Sequence, residues 1–574
     1  KVVSASSGPS LLRQRAEKMP KAQAKKQPAK PFCQPGGCIR EQAHVFPDGQ
    51  PPKFKDLYEL DKDPLGEGRY SRVYAATHKV TRARRAVKTA MRRGQNTIAD
   101  VGMECPGRLA RHEADIIKSL DHPNVIRLYE VYEEEEAVHL VLELCEGSDV
   151  LERIVVSKGR LTEHEISLLF IQMLYSVWHL HSRGVIHRDL KPEHFLFTRK
   201  EKTPEYHPPR LAALKVIDFG LSHLAGANFV PLGGTPQFMP PEIINGQVPD
   251  SGAADRVDMW ALGVVLHAML VGHYPSPHLK DETQAQYFSK SAWSSTSRGC
   301  LDLLGQLLRQ KGASRPTVFE ALQHPWAQAA HKARGEPSPG LVQSLPHALE
   351  AYSKSPGLRK LAMCAVAHEL DDYDFYSFRV LHQVLLLNGS RGCLNKKELD
   401  ELEKKNPELK KVVSTLSAGH GDPVSASGAG PDAVYDWTEI LAAGAIIGTS
   451  EAVLEPDKAK VKLDMAWSAF DLLSLSSEEI TADTLRRLMA YKAPGPRGGF
   501  GLKEAERERQ NDEEGAKEAE AAAVAAGQDA LAAPEEFDKL VEEYFPKEKA
   551  IPWPEFWAIM TGKLEPEPKG LGRL

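Results

Sequence analysis

The chain has 574 residues, enough for several domains. Charged residues make up 26% and the formal net charge is −5, which fits a soluble globular class and gives no global case for nucleic-acid binding. Seven scattered cysteines, an odd number, argue against a secreted disulfide framework and for reduced thiols in a cytoplasmic setting.

Residues 1–53 are rich in Lys, Ala, Pro and Ser and are expected to form a basic disordered tail. The expected location is cytoplasmic, with peripheral membrane attachment through this tail or a lipidated N-terminus as the alternative. No apolar run reaches transmembrane length. From Phe54, "YELDKDPLGEGRYSRVYAATHKVTRARRAVKTA" alternates apolar and polar residues and predicts strands. "ARHEADIIKSL" has helical spacing, and "VIRLYEVYEEEEAVHLVLEL" reads as two strands around an acidic turn. Beyond Asp149 helices are predicted at Glu163–Ser182, 255–270, 297–309 and Val318–Gln323. A strand-rich lobe (54–144) joined to a helical lobe (145–328) is an α+β arrangement. A Pro- and Gly-containing junction (329–370) follows, then amphipathic helices over 371–447 and 448–574, the latter with a charged, Ala-rich insertion at 491–533.

The first 330 residues carry groups suited to phosphoryl transfer, in a telling order. "LGEGRYSRV" offers Gly66 and Gly68, whose backbone can approach phosphate closely. "RAVKTA" puts a cation, Lys88, on a strand, and Glu113 on the following helix can pair with it. In "HRDLKPEHFLF", Asp189 is the candidate base and Lys191 can meet the moving phosphate. Asp218, in Asp218-Phe219-Gly220, is the candidate ligand for Mg²⁺, a cation that prefers hard oxygen donors.

Residues 54 to 328 resemble a eukaryotic protein kinase domain of the serine/threonine type. The resemblance extends to "GGTPQFMPPE", with Thr235 facing the base, to "DRVDMWALGVVL", with Asp258 bracing the catalytic loop, and to "ASRPT", where Arg315 is the expected partner of Glu242. It implies a two-lobed kinase fold and an ATP site formed by Leu65, Gly66, Gly68, Val73, Ala86, Lys88, Leu142, Glu143, Cys145, Leu196 and Asp218. Leu142 would be the gatekeeper, and Ile117, Leu128, His187 and Phe219 would stack as an internal spine. Protein substrates are implied, with Asp149 and Glu193 favouring basic residues ahead of the acceptor. One position departs from the pattern. His194 stands where the family has Asn, a ligand of the second metal ion, so the metal residues here are Asp218 and His194.

The last third resembles the junction and calmodulin-like module of calcium-dependent protein kinases, an all-α EF-hand arrangement. "GLRKLAMCAVAHEL" is apolar and basic at helical spacing, like a helix that such a module grips within the same chain. An EF-hand loop needs oxygen donors at positions 1, 3, 5, 7, 9 and 12 and Gly at 6. With Glu398 at position 12, Leu387, Gly389 and Arg391 fill 1, 3 and 5; with Glu439 at 12, Gly428 and Gly430 fill 1 and 3. A third loop near Asp471 has the wrong spacing, and the fourth, ending at Glu555, has Tyr544, Pro546 and Lys549 at 1, 3 and 6. The short strand positions Leu394, Tyr435, Ile480 and Ile551 survive while the oxygen cages do not, so Ca²⁺ binding is not expected. Two functions follow: a calcium-insensitive Ser/Thr kinase using ATP and Mg²⁺, or a pseudokinase scaffold that binds ATP weakly and acts through protein contacts.

Overall fold

The computed structural model describes residues 53–333 apart from 69–70, 80–81, 92–105, 158–160, 200–212, 225–233, 248, 250–252, 276–283 and 290, together with 479–480 and 550–552. A single turn, α1 (Phe54–Leu57), leads into β1 (Tyr58–Glu67), β2 (Ser71–His78) and β3 (Arg84–Met91). The helix α2 (Pro106–Lys118) precedes β4 (Leu128–Glu133) and β5 (Ala137–Leu142). The strands form one antiparallel sheet in the order β1-β2-β3-β5-β4. β5 is buried along its whole length because the sheet is covered on both sides. Val141 joins Phe54, Tyr58 and Tyr132 in one cluster, while its neighbours Leu140 and Leu142 join Ala114, Ile117 and Leu128 in the other. That is the period-two alternation of a strand between two apolar layers. On α2, Ala110, Glu113, Ala114 and Ile117 form the buried stripe, with one carboxylate among apolar residues.

The second lobe is helical. It is built from α3 (Val150–Ser157), α4 (Glu163–Ser182), α5 (Pro241–Ile244), α6 (Arg256–Val271), α7 (Gln284–Phe288), α8 (Arg298–Leu307), α9 (Val318–Gln323) and α10 (Pro325–Ala333). α4 starts where its capping box starts: the Glu165 N–H donates to Thr162 Oγ1 at 3.2 Å, and the Thr162 N–H donates to Glu165 Oε2 at 2.8 Å. α4 and α6 are apolar nearly all round and form the centre of the lobe. α6 stops at Gly272, whose φ of 77° is the left-handed conformation of a helix C-terminus. The helix predicted over 297–309 spans Arg298–Leu307, with Ser297 outside it as a cap accepting from the Cys300 N–H at 3.2 Å. α10 continues to Ala333, past the boundary expected at 328.

Four short strands between α4 and α5 position the site. They are β6 (Val185–Ile186), β7 (Phe195–Phe197), β8 (Leu214–Val216) and β9 (His223–Leu224). β6 pairs with β9 and β7 with β8. The loop 187–194 lies between β6 and β7, and the loop 217–222 between β8 and β9, so the two pairings force these loops together. In the C-terminal third, β10 (Glu479–Ile480) pairs antiparallel with β11 (Ile551–Pro552), and Ile480 and Ile551 are direct partners. The other expectations for the tail, the junction helix and the EF-hand loops fall outside the described residues, among which no helix is long and apolar enough to cross a membrane.

Candidate active site

β3 carries Lys88 and α2 carries Glu113, and the sheet holds them face to face. Lys88 Nζ donates to Glu113 Oε1 and Oε2 at 2.9 and 2.7 Å, and to Asp218 Oδ1 at 2.8 Å. Burial works against the Lys88 ammonium, but the carboxylates of Glu113 and Asp218 outweigh it and hold its pKa above the ordinary lysine value. Burial likewise works against ionised Asp218, yet Lys88 keeps its carboxyl well below the usual range. Glu113 is the most enclosed of the three, and burial raises its pKa against the opposing pull of Lys88.

Asp189 sits in a fixed frame. Its Oδ1 accepts from the Thr235 N–H at 2.8 Å and from Thr235 Oγ1 at 2.9 Å, while Lys191 Nζ donates to its Oδ2 at 3.2 Å. Gly234 lets the Thr235 segment come this close: its φ is 103°, and a Cβ there would lie 3.3 Å from the Arg188 carbonyl oxygen. The loop is held from below by Asp258, which is fully buried on α6. Asp258 accepts from the His187 and Arg188 N–H groups at 2.9 and 2.8 Å, and His181 Nε2 donates to its Oδ2 at 2.8 Å. Burial opposes that charge, but the His181 hydrogen bond and its neighbours hold the Asp258 pKa below its ordinary value. Arg188 (φ 72°) and Asp218 (φ 64°) both adopt left-handed backbone conformations. Each costs on the order of 1–3 kcal/mol and persists only where the surroundings dictate it.

His194 ends the loop, 6% exposed. Its Nδ1 lies 2.7 Å from the Asp189 carbonyl oxygen. That oxygen can only accept, so Nδ1 carries a proton, and in the neutral ring Nε2 then presents a lone pair. Nε2 lies 3.4 Å from Asp218 Oδ2. Burial, only partly countered by Asp218, pushes the His194 pKa down to about 4, so the ring is neutral at pH 7.

The nucleotide residues expected from sequence fall on connected elements. Gly66 is the register partner of Val73, Val73 of Lys88, and Ala86 of Leu142. A Cβ built on Gly66 meets nothing within 4 Å, so open space lies over that backbone. Gly68 and Leu65 are exposed at the end of β1, outside the Lys88 cluster. Leu142 ends β5, the Glu143 carboxylate is ion-paired with Lys215 at 2.9 Å, and Cys145 packs on the core. Leu196 forms a bridge with Asp149, beside the 143–149 segment. Of the expected spine, Ile117, Leu128, His187 and Phe219 are completely buried, and the His187 and Phe219 rings lie 5.1 Å apart. Sequence reasoning missed His181. Its signal was position, at the end of the α4 periodicity and six residues before His187.

The chain has relatives that match this geometry. A family model described as protein kinase domain matches residues 59–327. "Calcium-dependent protein kinase 3" of Plasmodium berghei is 30% identical over 454 residues, covering 76% of this chain and 73% of that protein. The chain belongs to the calcium-dependent protein kinase family. Its similarity reaches across the Plasmodium and plant members. "Calcium-dependent protein kinase 3" of Plasmodium yoelii yoelii is 32% identical over 68% of this chain and 69% of its own. "Calcium-dependent protein kinase 32" of Arabidopsis thaliana is 32% identical over 61% of this chain and 62% of its own. Membership makes the chain a protein kinase of two-lobed fold, with protein substrates, and implies ATP and Mg²⁺. The residues fit that pair in part: a lysine is aimed by two carboxylates, space lies over Gly66, and the Asp218 side chain is 41% exposed. His194 is the exception, a nitrogen donor where a hard cation favours oxygen.

Proposed function

We propose that the chain is a serine/threonine kinase that transfers the γ-phosphate of Mg·ATP to a protein hydroxyl without responding to Ca²⁺. The observation that carries the reading is the joined set of Lys88, Glu113 and Asp218 at 2.7–2.9 Å beside an Asp189 fixed by Thr235. Mg·ATP, when bound, supplies the phosphoryl group and the cation that offsets its charge. Lys88 holds phosphate oxygens, and Glu113 fixes the direction of its ammonium. Leu65, Gly66, Gly68, Val73, Ala86, Leu142, Glu143, Cys145 and Leu196 enclose the nucleotide. Asp189 orients the acceptor hydroxyl and takes its proton. Lys191, which also donates to Thr235 Oγ1 at 3.2 Å, offers positive charge to the phosphoryl group in flight.

The preference for basic residues ahead of the acceptor rests on Glu193, whose Oε2 is buried without a hydrogen-bond partner, and on Asp149. Asp149 also caps α3, accepting from the Glu152 N–H at 2.7 Å. Calcium insensitivity rests on the degenerate loop sequences, and the Ile480–Ile551 pair is the part of that region among the described residues. The pseudokinase reading is favoured by one observation, the imidazole at position 194. One assay on the full chain tests these points together. Phosphate transfer to peptides with Arg or Glu before the acceptor is followed from EGTA to free Ca²⁺ of about 100 μM, above the range of sensor EF-hands. The expected rate is flat in Ca²⁺ and higher for the Arg peptide. Activation by Ca²⁺ would refute insensitivity, and preference for the Glu peptide would refute the basic docking site.

A further inference from the structure

We propose that His194 Nε2 and Asp218 Oδ2 are paired ligands for a transition-metal ion, so that the second metal position of this kinase selects Mn²⁺- or Zn²⁺-type ions over Mg²⁺. Three features converge. The Nδ1–H of His194 is committed to the Asp189 carbonyl at 2.7 Å. Metal-binding histidines almost always donate their other N–H in this way, which fixes the tautomer and the ring direction. The remaining Nε2 lone pair lies 3.4 Å from Asp218 Oδ2. A cation placed between these two atoms can be ligated by both. Asp218 is kept from turning away, because Lys88 holds its Oδ1 at 2.8 Å.

The separation suits a shared ion. Bonds of about 2.1 Å to both atoms, typical of His and Asp ligands, give an N–metal–O angle of about 108° at this spacing. One imidazole and one carboxylate shift preference from Mg²⁺ toward the first-row transition series. Among the described residues no group of three His, Cys, Asp or Glu side chains could hold an ion, so the remaining donors must be phosphate oxygens and water. The inference therefore rests on the reading of the cleft as a nucleotide site.

Mn²⁺ is the probe, because its unpaired electrons report nitrogen ligation directly. The full chain is mixed with Mn²⁺ and a non-hydrolysable ATP analogue, and electron spin-echo modulation is recorded. A ¹⁴N coupling is expected, replaced by a ¹⁵N pattern in protein labelled with ¹⁵N-histidine and lost in His194→Asn. The labelled protein separates imidazole from the nucleotide's own nitrogens. The preference for Mn²⁺ over Mg²⁺ in binding should fall at least about tenfold in His194→Asn, the lower end of what loss of even an outer-shell partner costs a metal site. Bound Mn²⁺ without protein nitrogen coupling, or no Mn²⁺ retained, would overturn the proposal. The kinase reading fails separately: nitrogen coupling with no phosphate transfer under any metal leaves the metal site standing and removes the activity.

Discussion

Replacing Lys88 with Met is expected to lower phosphate transfer by about 10²–10³-fold, the usual loss when one preorganised charge-stabilising donor is removed. The variant strips the common partner from two carboxylates. Glu113, whose side chain is 3% exposed, and Asp218 then face each other without a counter-charge. Leaving one member of a buried pair unpaired costs about 3–5 kcal/mol, so the melting temperature should drop as well. The loss should depend on pH. Burial already raises the Glu113 pKa, and without Lys88 nothing comparable opposes it. A raised carboxyl pKa makes the folded state the tighter proton binder between the ordinary glutamate value and the raised one. Stability therefore falls as pH rises through that window, and the variant should lose more against wild type near about pH 8 than near about pH 5. Thermal melts of both proteins across that range check the sign.

Arg315→Ala should strongly destabilise the helical lobe. The guanidinium uses all its directions: Nε donates to the Arg309 carbonyl at 2.7 Å, and Nη1 and Nη2 grip Glu242 at 2.6 and 2.7 Å. The same two nitrogens also reach the Arg256 and Gln310 carbonyls at 3.2 and 3.1 Å. The side chain is fully buried and lies over the Trp260 ring, 4.9 Å from its centroid. Truncation leaves Glu242 and three carbonyls without their donor, an expected loss of about 3–5 kcal/mol. Arg315→Lys should recover only part of it, because a single ammonium cannot reproduce the planar fork. Denaturant unfolding of the three proteins measures the order. Equal stability of wild type and Arg315→Ala would show that this contact does not hold the lobe together.

Much of the site was legible because its residues sit on elements with strong local signals. α4 follows its capping box and apolar run, so its predicted ends match Glu163–Ser182. Lys88 and Glu113 could be paired from spacing on a strand and the next helix, and Asp258 and Arg315 were expected in the roles their contacts now show. The rest depended on long-range geometry. His181 reaches Asp258 across 77 positions, and its place at the end of α4 does not by itself name that partner. The left-handed backbones at Arg188 and Asp218 are imposed by tertiary contacts on residues that do not favour them. His194 was visible as a departure from Asn, but its tautomer and its distance from Asp218 were not. Those two facts recast the residue from a defect in a magnesium site to a donor of a different kind.

The most direct measurement of phosphate transfer in this cleft compares incorporation of radiolabel from [γ-³²P]ATP into a basic peptide by wild type and Asp189→Ala, each with Mg²⁺ and with Mn²⁺. Wild type is expected to exceed Asp189→Ala by at least about 10²-fold with one of the two metals, as loss of a general base requires. Equal rates for the two proteins with both metals would contradict transfer by this cleft and leave the scaffold reading in its place.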